Sequence, residues 1–368
     1  MGDKSAFVGG MKLKISELGK VITGNTPSKK IKEFWDKDDV GFVKPDIISD
    51  EHIVKIKNED CNEFISNAAI SKARIVPKNS IFVTCIGNIG KIGVATENLA
   101  FNQQINAIIP NENVNLDYLC YAIFANKTRL QDIANAPIVP LLNKSQFSEF
   151  ELEFDMDINT QTRIVNELNT VSNIILKYKQ ELLLLDELVR ARFVEMFGEI
   201  EDCDKWESKI WNEVVTIKNG RDYKKVLVSD GGYPVVGTGG EIARASKYLC
   251  PENTIVVGRK GSINNPMLMK EKFWNVDTAF GVIPNSDYLH YQYFYCFCKF
   301  YNFMKLNKAT TLPSTTKADL LKIRINIPPL ELQNQFASFV EEIDKSRLRE
   351  LLAIKHIKLL LNDLFEYP

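Results

Sequence analysis

The sequence predicts an α+β fold built twice: two repeated globular domains, each followed by one long helix. Three observations predict it. Segments recur in the same order in the two halves of the 368-residue chain. Two long stretches free of Pro and Gly carry coiled-coil seams. Basic, hydroxyl-rich loops fall inside the repeats, and acidic runs fall at their junctions with the helices.

The duplication shows segment by segment. ISELGKVITGNTPSKK (15–30) and IWNEVVTIKNGRDYKK (210–225) each run an apolar, helix-like stretch to a Gly (Gly24, Gly220), then into basic and hydroxyl residues. IVPKNSIFVTCIGNIG (75–90) and YLCPENTIVVGRKGSI (248–263) each open on a Pro turn, continue as a β-branched strand and end in a Gly loop. NQQINAIIPN (102–111) matches VDTAFGVIPN (276–285), and LNKSQFSEFELEF (142–154) matches STTKADLLKIRIN (314–326). Chance explains one such pair, not four in register. Strands are expected at 81–85 and 254–258 and helices at 117–134 and 288–306, so each copy is an α+β unit of roughly 130–145 residues, an ordinary domain size. The expected boundaries are a leader or tag over 1–11, a first domain over 12–157, a spacer helix over 158–198, a second domain over 199–329 and a distal helix over 330–368.

From Thr160 to Phe197 apolar residues step by alternating fours and threes: Ile164, Leu168, Val171, Ile175, Tyr178, Leu182, Leu185, Val189, then Arg192 as the one break, then Met196. Asn159 or Thr160 is placed to cap the start, and Gly198 to stop the helix. The second helix follows Pro328-Pro329 and steps through Phe336, Val340, Ile343, Arg347, Glu350, Ile354, Ile357, Leu361 and Leu364. At 1.5 Å per residue the two span ~57 and ~53 Å. Neither can bury its seam alone, so each needs the other or a helix of another subunit. The expected coiled-coil core is Leu168, Val171, Ile175, Leu182, Leu185, Val340, Ile343, Ile354, Ile357 and Leu361.

Lys and Arg number 46 against 47 Asp and Glu, a formal net charge of −1. That balance excludes a polybasic protein held to nucleic acid by bulk charge, and an apolar content of 45% argues against a largely disordered chain. The charge is nonetheless segregated. Seven Lys from Lys12 to Lys37 face Glu17, Glu33 and Asp36, and Lys218, Arg221, Lys224 and Lys225 face Asp222 alone. Lys299, Lys305, Lys308, Lys317, Lys322 and Arg324 face Asp319 alone. The acidic runs, Glu149 to Asp157 and Glu195 to Glu207, lie at the domain–helix junctions. Of the candidate loops, 26–30, 259–262 and 310–317 combine cations with Thr, Ser or Gly, 221–225 is basic, and 237–240 holds Thr and Gly. That composition suits DNA, because cations neutralise phosphates while hydroxyls and forked guanidinium groups reach base edges. Any one loop taken singly is more often a solvated surface, and recurrence at equivalent positions in both repeats argues against that reading for the set.

No apolar run reaches the roughly 18 residues of a membrane span. The seven cysteines include no Cys-x-x-Cys and the three histidines are scattered, so no metal site is expected and a reducing cytoplasm is the simplest compartment. Gly87, Gly90 and Gly93 lack dinucleotide-binding spacing, and no Walker Gly-Lys-Ser/Thr exists. Asn265-Pro266-Met267 does not supply the Asn/Asp-Pro-Pro-aromatic motif of an adenine methyltransferase. Pro45-Asp46 is not followed by an acid-x-Lys. His52, His290 and His356 have no evident nucleophile partner. The chain thus reads as a binding protein. The alternatives are a self-contained DNA-modifying enzyme and a protein-binding repeat scaffold.

The two domain-plus-helix copies resemble the DNA specificity (S) subunit of type I restriction–modification systems, over about Lys12 to Phe365. The junction RARFVEMFGE (190–199) followed by KWESKIWNEVVTIKNG (205–220) carries much of the likeness, with Asp277 to Gly281 and Pro328 to Gln333. The first copy departs from the last two, with Asn102-Gln103-Gln104 and Asp155 to Ile158. The resemblance implies two target recognition domains that read the halves of a split double-stranded DNA site. It implies an antiparallel coiled coil of the two helices as a spacer that sets the gap. It implies a non-catalytic chain that docks two methyltransferase (M) subunits and, in the restriction complex, two restriction (R) subunits. No cofactor is expected on this chain; S-adenosylmethionine, ATP and Mg belong on the partners. The residues expected to face DNA are Lys29, Lys30, Lys44, Asn88 and Lys91 in the first domain. In the second they are Arg221, Lys224, Lys225, Thr238, Arg259, Lys260, Ser262, Thr315 and Lys317, with Arg221 and Arg259 as the leading base readers because Arg binds guanine in a forked geometry.

Overall fold

The computed structural model describes residues 10–134, 140–200, 205–307 and 313–365, with side chains described to residue 357. The chain divides into two compact units, residues 1–176 with 355–368, and residues 177–354. Each long helix contributes residues to both.

In the first unit a five-stranded sheet has the order Gly19–Thr23, Ile105–Pro110, Ile81–Thr84, Ile92–Ala95, Val54–Ile56. A four-stranded sheet follows the order Phe64–Ile65, Val40–Val43, Leu99–Phe101, Ile75–Val76. Ile81–Thr84 and Ile92–Ala95 are buried throughout, which is why they read as continuous apolar runs without alternation. The helix Leu116–Ala125 packs on the larger sheet, and Ile164, Val165 and Leu168 of the long helix join the same core.

The second unit repeats the plan. Its first sheet has the order Val215–Asn219, Ala279–Pro284, Thr254–Gly258, Met267–Met269. Its second has the order Leu227–Val228, Gly240–Ala245, Tyr233–Gly237, Trp274–Asn275. A two-stranded pair closes each unit, Met11–Lys14 with Glu151–Phe154 and Ser208–Ile210 with Arg324–Asn326.

The duplication extends to single hydrogen bonds. Asn79 and Asn253, at matching turn positions, are the two positive-φ residues other than Gly among those described. Ser80 donates to the Pro77 carbonyl as Thr254 does to Pro251. The buried Gln161 accepts from the Asn115 N–H and donates to the Asp155 carbonyl. Gln333 does the same for His290 and Pro328. Each glutamine thus ties the first turn of a long helix to the N-cap residue of an earlier one, Leu116–Ala125 or Tyr291–Phe300, although the junction sequences differ.

Three expectations about element bounds and caps need correction. The stretches leading to Gly24 and Gly220 are helical only over Ile15–Leu18 and Trp211–Val214. They continue as strands, because the β-branched residues that follow pair with Ile105–Pro110 and Ala279–Pro284. The helix expected over 117–134 breaks at Asn126 into Leu116–Ala125 and Lys127–Asp132; that over 288–306 is Tyr291–Phe300 and then a 3-10 turn. The long helix Ile158–Phe197 is capped by Asp157 rather than by Asn159 or Thr160. The Asp157 carboxylate accepts the Thr160 N–H at 3.1 Å and the Thr160 hydroxyl at 2.8 Å, and these bonds hold it below the usual carboxylate range. Gly198 ends the helix in a left-handed conformation, its N–H on the Val194 carbonyl.

Within the second unit the two long helices pack antiparallel. Phe193 and Phe197 meet Phe336, Arg192 lies over Phe339, and Asp186 pairs with Arg347, so positions rise on one helix as they fall on the other. The buried row moves from Val189 to Phe193 and Phe197, leaving Arg192 and Met196 half-buried. Arg192 is therefore a flanking residue, not a break in the seam. The row widens because Phe193 also stacks on Tyr293 and meets Phe300 of a third helix. Of the expected coiled-coil core, Leu168, Val340, Ile343 and Ile354 are buried, and Val171, Ile175, Leu182, Leu185 and Ile357 are half-buried. The side chain of Leu361 lies outside the described residues.

Candidate nucleic-acid interface

In the second unit one turn, Asn275–Thr278, holds the basic loops together. The Arg221 N–H donates to the Asn275 carbonyl at 3.0 Å, and the Arg221 carbonyl accepts the Trp274 indole N–H. The Arg259 N–H donates to the Thr278 carbonyl at 2.8 Å, and its guanidinium reaches the Asp277 carbonyl. Gly220 is required at this crossing, since a Cβ there would overlap the Val276 carbonyl. Val276 in turn donates to Val236, which brings the hairpin tip Thr238–Gly239 to the same end of the unit.

Arg221, Lys224, Lys225, Arg259, Lys260 and Ser262 are exposed, and Thr238 is half-buried. None of the five cations has an acid within ion-pair range among the described residues. Lys317 is exposed, but its ammonium donates to the Ile217 carbonyl at 2.8 Å. Thr315 departs from expectation. It is buried and its hydroxyl is committed to the Gly258 carbonyl, so it fixes the loop from inside and is not available to a ligand. Residues 310–312 of the same loop lie outside the described residues.

The first unit has the same scaffold with different chemistry. Asn25 donates to Phe101 as Arg221 does to Asn275, and Cys85 donates to Gln104 as Arg259 does to Thr278. The positional counterparts of the two arginines are therefore Asn25 and the buried Cys85, neither found from sequence because charge was the signal sought. Lys30 and Asn88 are exposed, the Asn88 side chain bonding Asp50, and the other expected cations have internal partners. Lys29 and Lys44 both pair with Glu63, at 3.0 and 2.7 Å. The hydrogen bond to Lys44 is the main cause that holds the Glu63 carboxyl below the usual range. Lys91 donates to the Pro45 carbonyl. Among the described residues no group of His, Cys, Asp and Glu is placed to hold a metal ion, and no helix is long and apolar enough to cross a membrane.

A duplicated scaffold of recognition loops on paired helices defines a class, and comparison with known proteins agrees. Residues 9–184 and 203–356 match the type I restriction modification DNA specificity domain, and the chain belongs to that family. It is 24% identical over 396 residues to the type I restriction enzyme MjaIX specificity subunit of Methanocaldococcus jannaschii, covering 94% of this chain and 90% of that one. It is 34% identical over 142 residues to the HindI specificity subunit of Haemophilus influenzae, covering 38% of this chain and 30% of that one. Its fold is similar to the crystal structure of the S subunit from M. genitalium, with a TM-score of 0.56 at 16% identity over 97% of this chain and 96% of that one. As a member, the chain is a specificity subunit: its recognition domains and helical spacer select DNA, and catalysis is not its part.

Proposed function

We propose that each unit reads one half of a bipartite duplex target through its loop end, and that the chain docks two methyltransferase subunits and, for restriction, two restriction subunits. The observation that carries this reading is the repeated loop scaffold with unlike side chains, Arg221 and Arg259 on one copy against Asn25 and Cys85 on the other. Equivalent frames with different chemistry suit two different half-sites. Lys224, Lys225 and Lys260 serve as phosphate contacts, and Arg221 and Arg259 as base readers. In the first unit Lys29, Lys30, Lys44, Asn88 and Lys91 serve as DNA contacts, with Glu63 moderating two of them. S-adenosylmethionine, ATP and Mg are carried by the partners, and the assembly works in the cytoplasm.

Mapping methylated bases on DNA exposed to this chain and its methyltransferase subunits tests the reading. A split motif with a fixed gap is expected. Methylation without sequence preference, or DNA modification by this chain alone, would overturn it.

A further inference from the structure

We propose that Ile242 is a specificity-determining residue of the second unit, and that its side chain packs on the 5-methyl group of a thymine in the major groove. The proposal rests on the reading of this end of the unit as a DNA face, and three observations carry it. In the hairpin Val235 lies opposite Ala243 and Val236 opposite Glu241, so Ile242 is an extra residue with no partner. Such a bulge re-aims one side chain out of the ladder. Ile242 is also 55% exposed, while its neighbour Ala243 packs on the core beside Val235 and Trp274. The fold makes little use of this apolar group. Finally, the hairpin tip points toward the arginines. Strand Tyr233–Gly237 runs parallel to Trp274–Asn275, with Val236 opposite Asn275, and Asn275 and Thr278 hold Arg221 and Arg259.

The chemistry is complementary. The major groove admits a two-stranded β-ribbon, and the thymine methyl is the apolar feature it displays there. A guanidinium reads guanine but has no means of recognising a methyl; an exposed Ile does. The first unit has no such device. Its counterpart of Val236 is Val43, whose carbonyl accepts from Asn102 as Val236 accepts from Val276, and Lys44-Pro45 follow where the hairpin would turn.

The test uses the full chain with its methyltransferase subunits, on duplexes carrying the mapped motif. Each thymine is replaced in turn by deoxyuridine, which removes the methyl and keeps every hydrogen-bonding group. For the wild type, one thymine of one half-site should lower affinity about fourfold on replacement, the value of one buried carbon. Ile242→Ala should lower affinity for the thymine duplex by a similar factor and be indifferent to deoxyuridine at that position. Ile242→Val, which keeps the β-branching favoured in strands, should fall between and serves if Ile242→Ala lowers the melting temperature. The proposal is overturned if no thymine distinguishes the variants from wild type, if Ile242→Ala weakens all sequences equally as a non-specific wedge would, or if the motif contains no thymine. A wild-type complex with no sequence preference would instead overturn the underlying reading, and this proposal with it.

Discussion

Arg221 and Arg259 owe their positions to main-chain hydrogen bonds to the Asn275–Thr278 turn, while their side chains are exposed, that of Arg259 making one long surface bond to the Asp277 carbonyl. Arg259→Ala should therefore leave the melting temperature nearly unchanged, yet relax selectivity at one base pair by about 1–3 kcal/mol. An unchanged methylation motif would show that it reads no base. The cysteines behave oppositely. Burial pushes the thiols of Cys61, Cys85 and Cys296 up to about 12 and that of Cys250 to about 11. At pH 8 they should stay protonated and resist a disulfide reagent in the folded protein, then react on unfolding, as mass mapping of the labelled residues can show. At this scale the sequence was legible where charge was concentrated and silent where backbone decided. Thr315 sits in a loop of DNA-like composition, but one buried hydroxyl bond to Gly258 removes it from the surface. Asn25 and Cys85 carry no charge to draw notice.

Among the elements, the long helices were the most legible because a repeat over many turns survives local noise. What periodicity could not show was the third partner. Besides Phe336 of the seam itself, Phe193 meets Tyr293 and Phe300 and Phe197 meets Tyr293, contacts with helix Tyr291–Phe300 that a two-helix seam does not anticipate. Phe193→Ala should thus cost about 3–5 kcal/mol, as for a large aromatic in a packed core, read by denaturant unfolding. A loss under about 1 kcal/mol would mean that the three helices do not share this core. The Asp186 bonds to Arg347 and Lys299 are half-exposed and should contribute little by comparison. The opening strands Gly19–Thr23 and Val215–Asn219 look helical in sequence because short apolar runs carry no decisive period. Their pairing with Ile105–Pro110 and Ala279–Pro284 settles the matter in three dimensions.

At the scale of the whole molecule, a net charge of −1 keeps indiscriminate adhesion to DNA low and leaves selection to local contacts. The proposed role of the helices as a ruler predicts a measurable shift. Inserting seven residues at seam-equivalent positions of both Ile158–Phe197 and Leu330–Phe365 preserves the phase of each seam and adds ~10.5 Å. The mapped motif should keep both halves while its gap grows by about three base pairs. An unaltered gap would remove the ruler from the account.

The loop frame has one more consequence. Because Arg221 and Arg259 hang from main-chain carbonyls that would hold almost any residue type there, their exposed side chains carry little structural duty, unlike the buried Thr315 of the same loop end. Exchange of a tip residue can therefore alter the target while leaving stability intact. A chain so built can drift from one DNA address to another through folded, working intermediates, and each half can do so independently of its twin.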